Sequence, residues 1–395
     1  MLIISIISVI FVIETILKLL EINHIKTKTN KCFLSDEQFI EFKNIAIVEH
    51  KFSILNNFLA LILNCVFILV LFNVLKVHFE PNSLLDNTIL VLLYFIINSC
   101  ILTCLDYYKT MVVDTKHGFN KKTPKMYFKD LLKSLILLVI IGGALVYILL
   151  FAIAKLGEFW WIGGFAILFI FSLLAMVIYP NFIVPLFNKL SPVEGELRDD
   201  IAKLLDECGF KSNGVFSMDA SKNDTRLNAY FAGMFGAKKV VLYDTLINAM
   251  SKDELLAVLA HELGHFKHKD ILKMLFISGL NLLITFAFFG YFSSFFENQF
   301  NLEGFVSSPL FAFIMVGSAI SFILSPILNS LSRKNEFSAD KHGAIKTSKN
   351  DMISALKVLA IHNKALLDHN AIYEMIYKTH PSLSRRISAL NDSHI

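Results

Sequence analysis

Apolar residues gather in seven runs, at residues 2–20, 54–77, 88–105, 132–154, 159–187, 271–296 and 308–331. A membrane-spanning helix needs about 20 mostly apolar residues, and every run meets that length or falls within a turn of it. Pro180 and Pro185 in the fifth run predict a kink or a re-entrant turn in its second half. The polar links between runs are uneven in charge. Lys26, Lys28, Lys31, Lys43 and Lys51 follow the first run, and Lys109, Lys116, Lys121, Lys122, Lys125 and Lys129 follow the third. Residues 78–87 and 297–304 contain no Lys or Arg. Lys/Arg-rich loops stay cytoplasmic. The amino terminus is therefore expected outside, with the links after runs one, three and five and the tail after run seven inside. Seven crossings satisfy every loop at once.

One long polar stretch, 188–270, separates runs five and six. It opens on Ser191-Pro192-Val193-Glu194, the pattern of a capping box with Pro at the first helical position. Leu197, Ile201, Leu204, Leu205 and Cys208 follow at helical spacing. Strand-like runs come next at 214–218, 228–233 and 239–243, the last after a Gly236-Ala237 turn. Ser251-Lys252-Asp253-Glu254 is a second capping box and opens another helix. The chain thus divides into spans one to five (1–187), a polar region (188–270), spans six and seven (271–331) and a polar tail (332–395).

Composition agrees with a bilayer rather than a soluble core: 55% hydrophobic, 18% charged and 37 Phe is more apolar surface than a soluble fold hides. The net charge of +4 is mild and sits in the Lys-bearing links, which argues against a nucleic-acid partner. Five cysteines form no CxxC pair and no disulfide framework. The first run has no basic leader and no small-residue cleavage site, so it is expected to stay as a span. Glu14 and Lys18 within it stand four residues apart and are expected to pair.

The helix opened by Ser251 carries His261-Glu262-Leu263-Gly264-His265. Spacing of four stacks both imidazoles on one face, one turn apart, where they can share a metal ion. Glu262 lies beside them, placed to take a proton from a metal-activated water. Five residues recur by chance on surface helices, but three pieces of context weigh against chance here. The helix has its own cap, Leu255, Leu256, Val258, Leu259 and Leu263 give it an apolar backing, and a third ligand is within reach. Run six starts about six residues after His265 and run seven ends about five before Glu336. Their short link makes them an antiparallel hairpin, so both motifs project about 8–9 Å from one membrane face at about 1.5 Å per residue. Glu336 is the expected third ligand of a zinc site with one open position. Asp340, one turn on, is placed to accept the second N–H of a ligating His. His268, His342, His362 and His369 are weaker candidates.

At these residues the chain resembles the type I CAAX prenyl endopeptidases, integral-membrane zinc proteases of the gluzincin type. Asn228-Ala229-Tyr230-Phe231 followed by Lys239-Val240-Val241-Leu242-Tyr243-Asp244-Thr245-Leu246 resembles the strand before the family's catalytic helix. His117-Gly118-Phe119-Asn120 resembles a family loop motif, Asn335-Glu336-Phe337-Ser338-Ala339-Asp340 the third-ligand segment, and Thr379-His380-Pro381-Ser382-Leu383-Ser384-Arg385-Arg386 the carboxy-terminal His-Pro motif. The resemblance implies one zinc per chain on His261, His265 and Glu336, with Glu262 as general base and acid. It implies that His380 and Arg386 approach the site and steady the oxyanion, and that Asn228, Ala229 and Tyr230 bind substrate by strand addition. The implied fold is an all-α integral-membrane ring of about seven helices around a chamber. A cytoplasmic zincin-like α+β catalytic region with a small sheet completes it.

The expected function is peptide-bond hydrolysis in a bilayer, on a peptide or protein substrate that is lipidated or membrane-associated. Richness in Ile, Lys, Asn and Phe suggests an AT-rich coding sequence, hence a bacterial inner membrane rather than an endoplasmic reticulum. Two rivals stand beside this reading. A heat-shock-type quality-control protease, HtpX-like, shares the zinc motif with fewer spans; a multi-span channel or scaffold would keep the motif without turnover.

Overall fold

A computed structural model describes residues 2–393 except 233–237, 298, 301 and 303; the Gly236-Ala237 turn lies outside the described residues. Six long apolar helical runs are present, at Leu2–Thr27 (α1), Asp36–His78 (α2), Leu84–Asp114 (α3), Pro124–Phe187, Asp270–Tyr291 and Ser308–Lys346. The run Pro124–Phe187 is 64 residues long, about three times what a crossing needs. It breaks at Gly157, whose φ of 51° with ψ of −123° lies outside the left-handed region open to other residues. A short 3₁₀ turn, Gly157–Phe159, then reverses the chain. Residues 124–156 (α4) and 160–187 (α5) are therefore two spans, and the crossings number seven. Pro180 and Pro185 leave the fifth span continuous. A wide π turn at Tyr179–Ile183 absorbs Pro180, so the helix does not re-enter.

Two sequence expectations shift locally. The Lys-bearing link after span one is mostly helix, because Ser35 and Gln38 form a capping box that starts α2 at Asp36, well before its apolar part. The Ser191 capping box does not form. Leu190–Pro192 is a strand (β1) whose Ser191 and Pro192 lie opposite Ser217 and Phe216. Pro192 tolerates this place at a sheet edge, where no amide is needed. The following helix, Glu196–Glu207 (α6), starts instead after Gly195 at φ 74°.

Val215–Met218 (β2), Ala229–Ala232 (β3) and Lys239–Tyr243 (β4) complete a four-stranded sheet in the order β1-β2-β4-β3. The β2–β4 pair is parallel and β3 runs antiparallel to β4, leaving β3 at the edge. Asp244–Ala249 (α7) leads to Lys252–Lys267 (α8), which starts at the Ser251–Glu254 capping box as its sequence requires. Asp270–Tyr291 (α9) and Ser308–Lys346 (α10) are spans six and seven, followed by Lys349–His362 (α11), Ala371–Tyr377 (α12) and Leu383–Asp392 (α13).

Every span contributes to one buried cluster at the membrane face opposite the catalytic region, through Ile3, Phe67, Phe72, Leu90, Leu150, Trp160, Phe286 and Phe311 among others. Asn87, fully buried, locks that end: its Oδ1 accepts from Ser307 N at 2.9 Å and Ser307 Oγ at 2.7 Å, while its Nδ2 donates to Pro81 and Ser83 carbonyls at 2.8 Å. A second core joins α6, β4, α8, α11 and α13 through Ile201, Leu242, Leu259, Leu356 and Leu390. Glu14 and Lys18 pair at 3.8 Å as expected. Three residues on, Glu21 is completely buried and accepts from His369 Nδ1 at 2.7 Å and Asn370 N at 2.8 Å. Asn370 in turn caps α12. Span one thereby fixes the start of the segment that leads to His380.

Helices α8 and α10 approach each other backbone to backbone at Gly264. A Cβ on Gly264 would lie 2.9 Å from Ala339 Cα and 3.1 Å from His342 Cβ. Gly264→Ala must therefore push the helices apart, and overpacking of this kind costs about 1–3 kcal/mol; a lower thermal midpoint and lower metal content are expected. Gly343→Ala meets chiefly the movable Met352 Sδ, at 2.8 Å, and should be milder on both measurements. Equal effects would show that the crossing distance is not critical. Glu21→Ala strands two buried donors, a loss of about 1–3 kcal/mol. Thermal unfolding of the purified protein should register it, whereas Glu14→Ala should leave the α12 region unaffected by limited proteolysis.

Candidate metal centre

The apolar face of α8, with Leu255, Val258, Leu259 and Leu263 buried, turns His261 and His265 toward α10. The two rings stand 5.0 Å apart, edge to face. Glu336 enters between them from α10, 4% exposed. Its Oε2 lies 3.5 Å from His261 Nε2 and its Oε1 3.3 Å from His265 Nε2. One ligand atom from each residue falls within a 4.8 Å group, the one such group found among the described residues. Glu336 Oε2 is buried without a hydrogen-bond partner. Buried carboxylate oxygens are not left so without cost, and an ion in the gap would supply the partner.

Each histidine is oriented from behind by a carboxylate. Asp340 Oδ1 lies 2.9 Å from His261 Nδ1, as its spacing suggested. Asp270 Oδ2 lies 3.1 Å from His265 Nδ1. The hydrogen bond to Asp270 places the proton on His265 Nδ1 and leaves its Nε2 free for a metal, and Asp340 stands at ion-pair distance behind His261. Asp270 was not foreseen. It is the first residue of span six, and it reaches back because Lys269 adopts φ 57°, a left-handed turn between α8 and α9. A lone acid at a membrane boundary just after the motif was the signal available in the sequence.

Arg386 comes in from α13 and grips Asp340 with both teeth of its fork, Nε to Oδ2 at 2.7 Å and Nη2 to Oδ1 at 2.5 Å. Its remaining Nη1 lies 3.6 Å from Glu336 Oε2. His380 Nε2 lies 3.2 Å from Glu336 Oε1, and Thr379 Oγ1 sits 2.9 Å from its Nδ1. The five expected residues His261, His265, Glu336, His380 and Arg386 thus meet in one place. His268 and His342 do not join them; His342 is a core residue with Nδ1 2.9 Å from the Ala260 carbonyl.

The charge balance favours a divalent cation. Around the two imidazoles stand four carboxylates, Glu262, Glu336, Asp340 and Asp270, against Arg386 and Lys273, which pairs with Asp270 at 3.1 Å. Two negative charges remain when both imidazoles are neutral, the form that binds a metal. Burial alone would lower the His265 imidazole, but Glu336, Asp270 and Glu262 outweigh it and lift it to about 9. Burial pushes the Glu262 carboxyl above the usual carboxylate range, against the pull of His261 and His265.

A cavity of about 560 Å³ opens beside His261 and Glu336, lined also by Asn228, Ala229, Glu262, His380 and Arg386. Edge strand β3 forms one wall. Asn228 Oδ1 accepts from Ala229 N at 2.8 Å. Tyr230 does not line the cavity; its side chain turns to the other face and packs near Val184 and Tyr243, as strand alternation demands. The His117–Asn120 motif secures this wall from outside. Arg226 stacks over Phe119 at 4.0 Å, Thr225 N donates to the Phe119 carbonyl at 3.0 Å, and Lys364 Nζ donates to the His117 carbonyl at 2.9 Å.

Residues 17–189 match the model of the CAAX prenyl protease N-terminal region with five membrane helices, and residues 192–394 match peptidase family M48. Five is the number of spans from α1 to α5. The chain is similar to CAAX prenyl protease 1 of Saccharomyces cerevisiae, 33% identical over 91% of this chain and 86% of that one. It is similar to the CAAX prenyl protease 1 homolog of Arabidopsis thaliana, 30% identical over 97% and 95%. The crystal structure of S. mikatae Ste24p aligns with a TM-score of 0.90 at 30% identity, covering 98% of this chain and 97% of that chain. These relatives are eukaryotic and lend no support to the bacterial membrane expected from composition. A protease with fewer spans, and a channel or scaffold, do not fit matches that cover both halves of the chain. The chain belongs to peptidase family M48, in its CAAX prenyl protease group, and is an integral-membrane protease.

Proposed function

We propose that the protein is a zinc endopeptidase that trims prenylated, CAAX-type carboxy-terminal tails on the cytoplasmic side of its membrane. The observation that carries the zinc assignment is the buried Glu336 carboxylate set between two imidazoles, its unpartnered Oε2 facing His261 Nε2 and its Oε1 facing His265 Nε2. Ligand atoms about 2.0–2.1 Å from a tetrahedral zinc lie about 3.4 Å from one another, and each imidazole Nε2 has one Glu336 oxygen near that distance, Oε1 at 3.3 Å from His265 and Oε2 at 3.5 Å from His261. His261, His265 and Glu336 would hold the ion, with Asp340 and Asp270 behind the histidines. Zinc in this place supplies Lewis acidity toward a water and a peptide carbonyl.

The chain's own residues account for the remaining requirements. Among the described residues strand β3 has a partner on one edge only, so its free edge, entered through Asn228, Ala229 and Tyr230, can take an extended peptide by strand addition and hold it across the cavity. Glu262 faces that cavity and takes the proton of the attacking water, then returns it to the leaving amine. Its raised pKa, a consequence of burial, suits both transfers. His380 Nε2 and the free Nη1 of Arg386 are placed to donate to the carbonyl oxygen as it gains charge. Arg386 is held by Asp340, so it reaches the site without its own reorganisation. The relatives are named for CAAX prenyl tails, and a site at the membrane edge of seven spans suits a substrate anchored by lipid.

Glu262→Gln keeps the shape and removes the basic carboxylate. Peptide cleavage should fall about 10²–10⁴-fold with zinc content near one per chain. Glu336→Gln removes an anionic ligand, so zinc content and rate should fall together. Zinc measured by mass spectrometry beside the cleavage rate decides between them, and a Glu262→Gln protein that sheds zinc would refute the division of roles.

Orientation has a separate test. Reporter fusions at Lys121, Asp224 and Ser388 should report cytoplasm, and a fusion at Pro81 the opposite side. An outward Asp224 would move the catalytic region to the other face of the membrane.

A further inference from the structure

A second cleft, about 620 Å³, lies between α10 and α12 on a different side of α10 from the metal ligands, lined by Arg333, Lys334, Phe337, Glu374, Met375 and Arg385 among others. We propose that it binds the phosphate of an anionic lipid headgroup.

Cations dominate the lining. Arg333 Nη1 donates to the carbonyls of Glu374 at 2.9 Å and Lys378 at 2.6 Å. Its Nε and Nη2 have no hydrogen-bond partner among the described residues. Arg385 lies half-exposed, with Nη1 2.7 Å from Glu374 Oε1 and its guanidinium 5.9 Å from the Phe337 ring. Lys334 is exposed and has no ion pair among the described residues. The acids present are already committed: Asp368 to Lys28 at 2.5 Å and Ser384 Oγ at 2.9 Å, and buried Glu374 to Arg385. His369, also in the lining, is taken by Glu21. Arg333 and Lys334 have no acid of their own among the described residues, and Arg385, though paired with Glu374, keeps further N–H donors at the opening; such a set suits a phosphate, with its several acceptor oxygens.

The level and the neighbours point to a lipid as the carrier. The apolar part of span seven ends at Leu331, so Arg333 and Lys334 stand about 3–5 Å beyond it along the helix. The headgroup layer occupies about 5–8 Å outside the hydrocarbon on each side. Ile323, Ile327 and Leu331, exposed by 70, 61 and 39%, follow one another a turn apart and lead to the cleft. Ile372 and Met375 on α12 are also exposed, by 49 and 46%. An apolar stripe ending in a cationic cleft matches a phospholipid, chain below and headgroup above. A soluble phosphate has no use for the stripe. The cleft also borders the arm bearing His380 and Arg386, since Arg333 holds the last turn of α12 and Arg385 precedes Arg386.

The test uses the full chain in neutral detergent, titrated with phosphatidylglycerol or phosphatidylcholine, with lipids retained per chain counted by native mass spectrometry. One phosphatidylglycerol should be retained with roughly tenfold preference over phosphatidylcholine, near the gain of about one cation's worth of attraction per basic residue. Lys334→Gln with Arg385→Gln should remove most of that preference. If the double change disturbs metal content, Lys334→Gln alone, at an exposed unpartnered side chain, should still lower it about threefold. Equal retention of both lipids, or an unchanged preference in these variants, would overturn the proposal. So would displacement of the retained lipid by millimolar inorganic phosphate, which would reassign the cleft to a soluble anion.

Discussion

The crossing of α8 and α10 is the constraint on which the rest depends. Two ligands come from one helix and the third from another, more than 70 residues along the chain. Helix axes usually pack 8–10 Å apart, by side-chain size, and a short carboxylate reaches an imidazole only at the near end of that range. Gly264, Ala339 and Gly343 at the contact remove the side chains that would hold the helices apart. His342 Nδ1 on the Ala260 carbonyl then fixes their rotation. The remaining freedom, sliding along the axes, is taken up by the span six–seven hairpin and by the buried cluster to which all seven spans contribute. The Phe-rich composition, conspicuous in the sequence, is used there.

Within the crossing, electrostatics opposes assembly. Four carboxylates and two imidazoles share a small, largely buried volume, and buried like charges repel strongly. Arg386 and Lys273 offset part of this, and a divalent cation would offset the remainder. Metal affinity and folding are therefore coupled through the same residues. The double grip of Arg386 on Asp340 also ties α13, near the end of the chain, to the histidine on α8. The tail is a structural member of the site, beyond any part it plays toward substrate.

Much of this was legible from residues alone. Periodicity and the Lys-poor loops counted seven crossings, and the hairpin argument brought Glu336 to the histidines, because helical rise converts residue number directly into height. Capping chemistry located α8 to the residue. Local pattern misled at Ser191-Pro192, where a helix-start motif was taken up as a sheet edge; strand pairing with β2 outweighed a cap worth about 1 kcal/mol. Asp270 escaped notice because its contact depends on a left-handed Lys269, a backbone conformation that lysine identity does not signal. Glu21 escaped for a related reason. Its partners His369 and Asn370 lie nearly 350 residues away, and no spacing rule links them. Arg386 and His380 stood out by family resemblance alone, since a tail His and Arg are ordinarily solvated.

Asp270 is both the orienting partner of His265 and the first residue of a membrane span. Its height is therefore set by how the hydrocarbon layer seats α9. In a bilayer thicker or thinner than that helix prefers, spans tilt or shift at a cost of fractions of a kcal/mol per Å. Here such a shift would be delivered directly to the imidazole that Asp270 steers. The thickness of the surrounding lipid thereby becomes a mechanical input to the metal centre, transmitted through a single turn of chain.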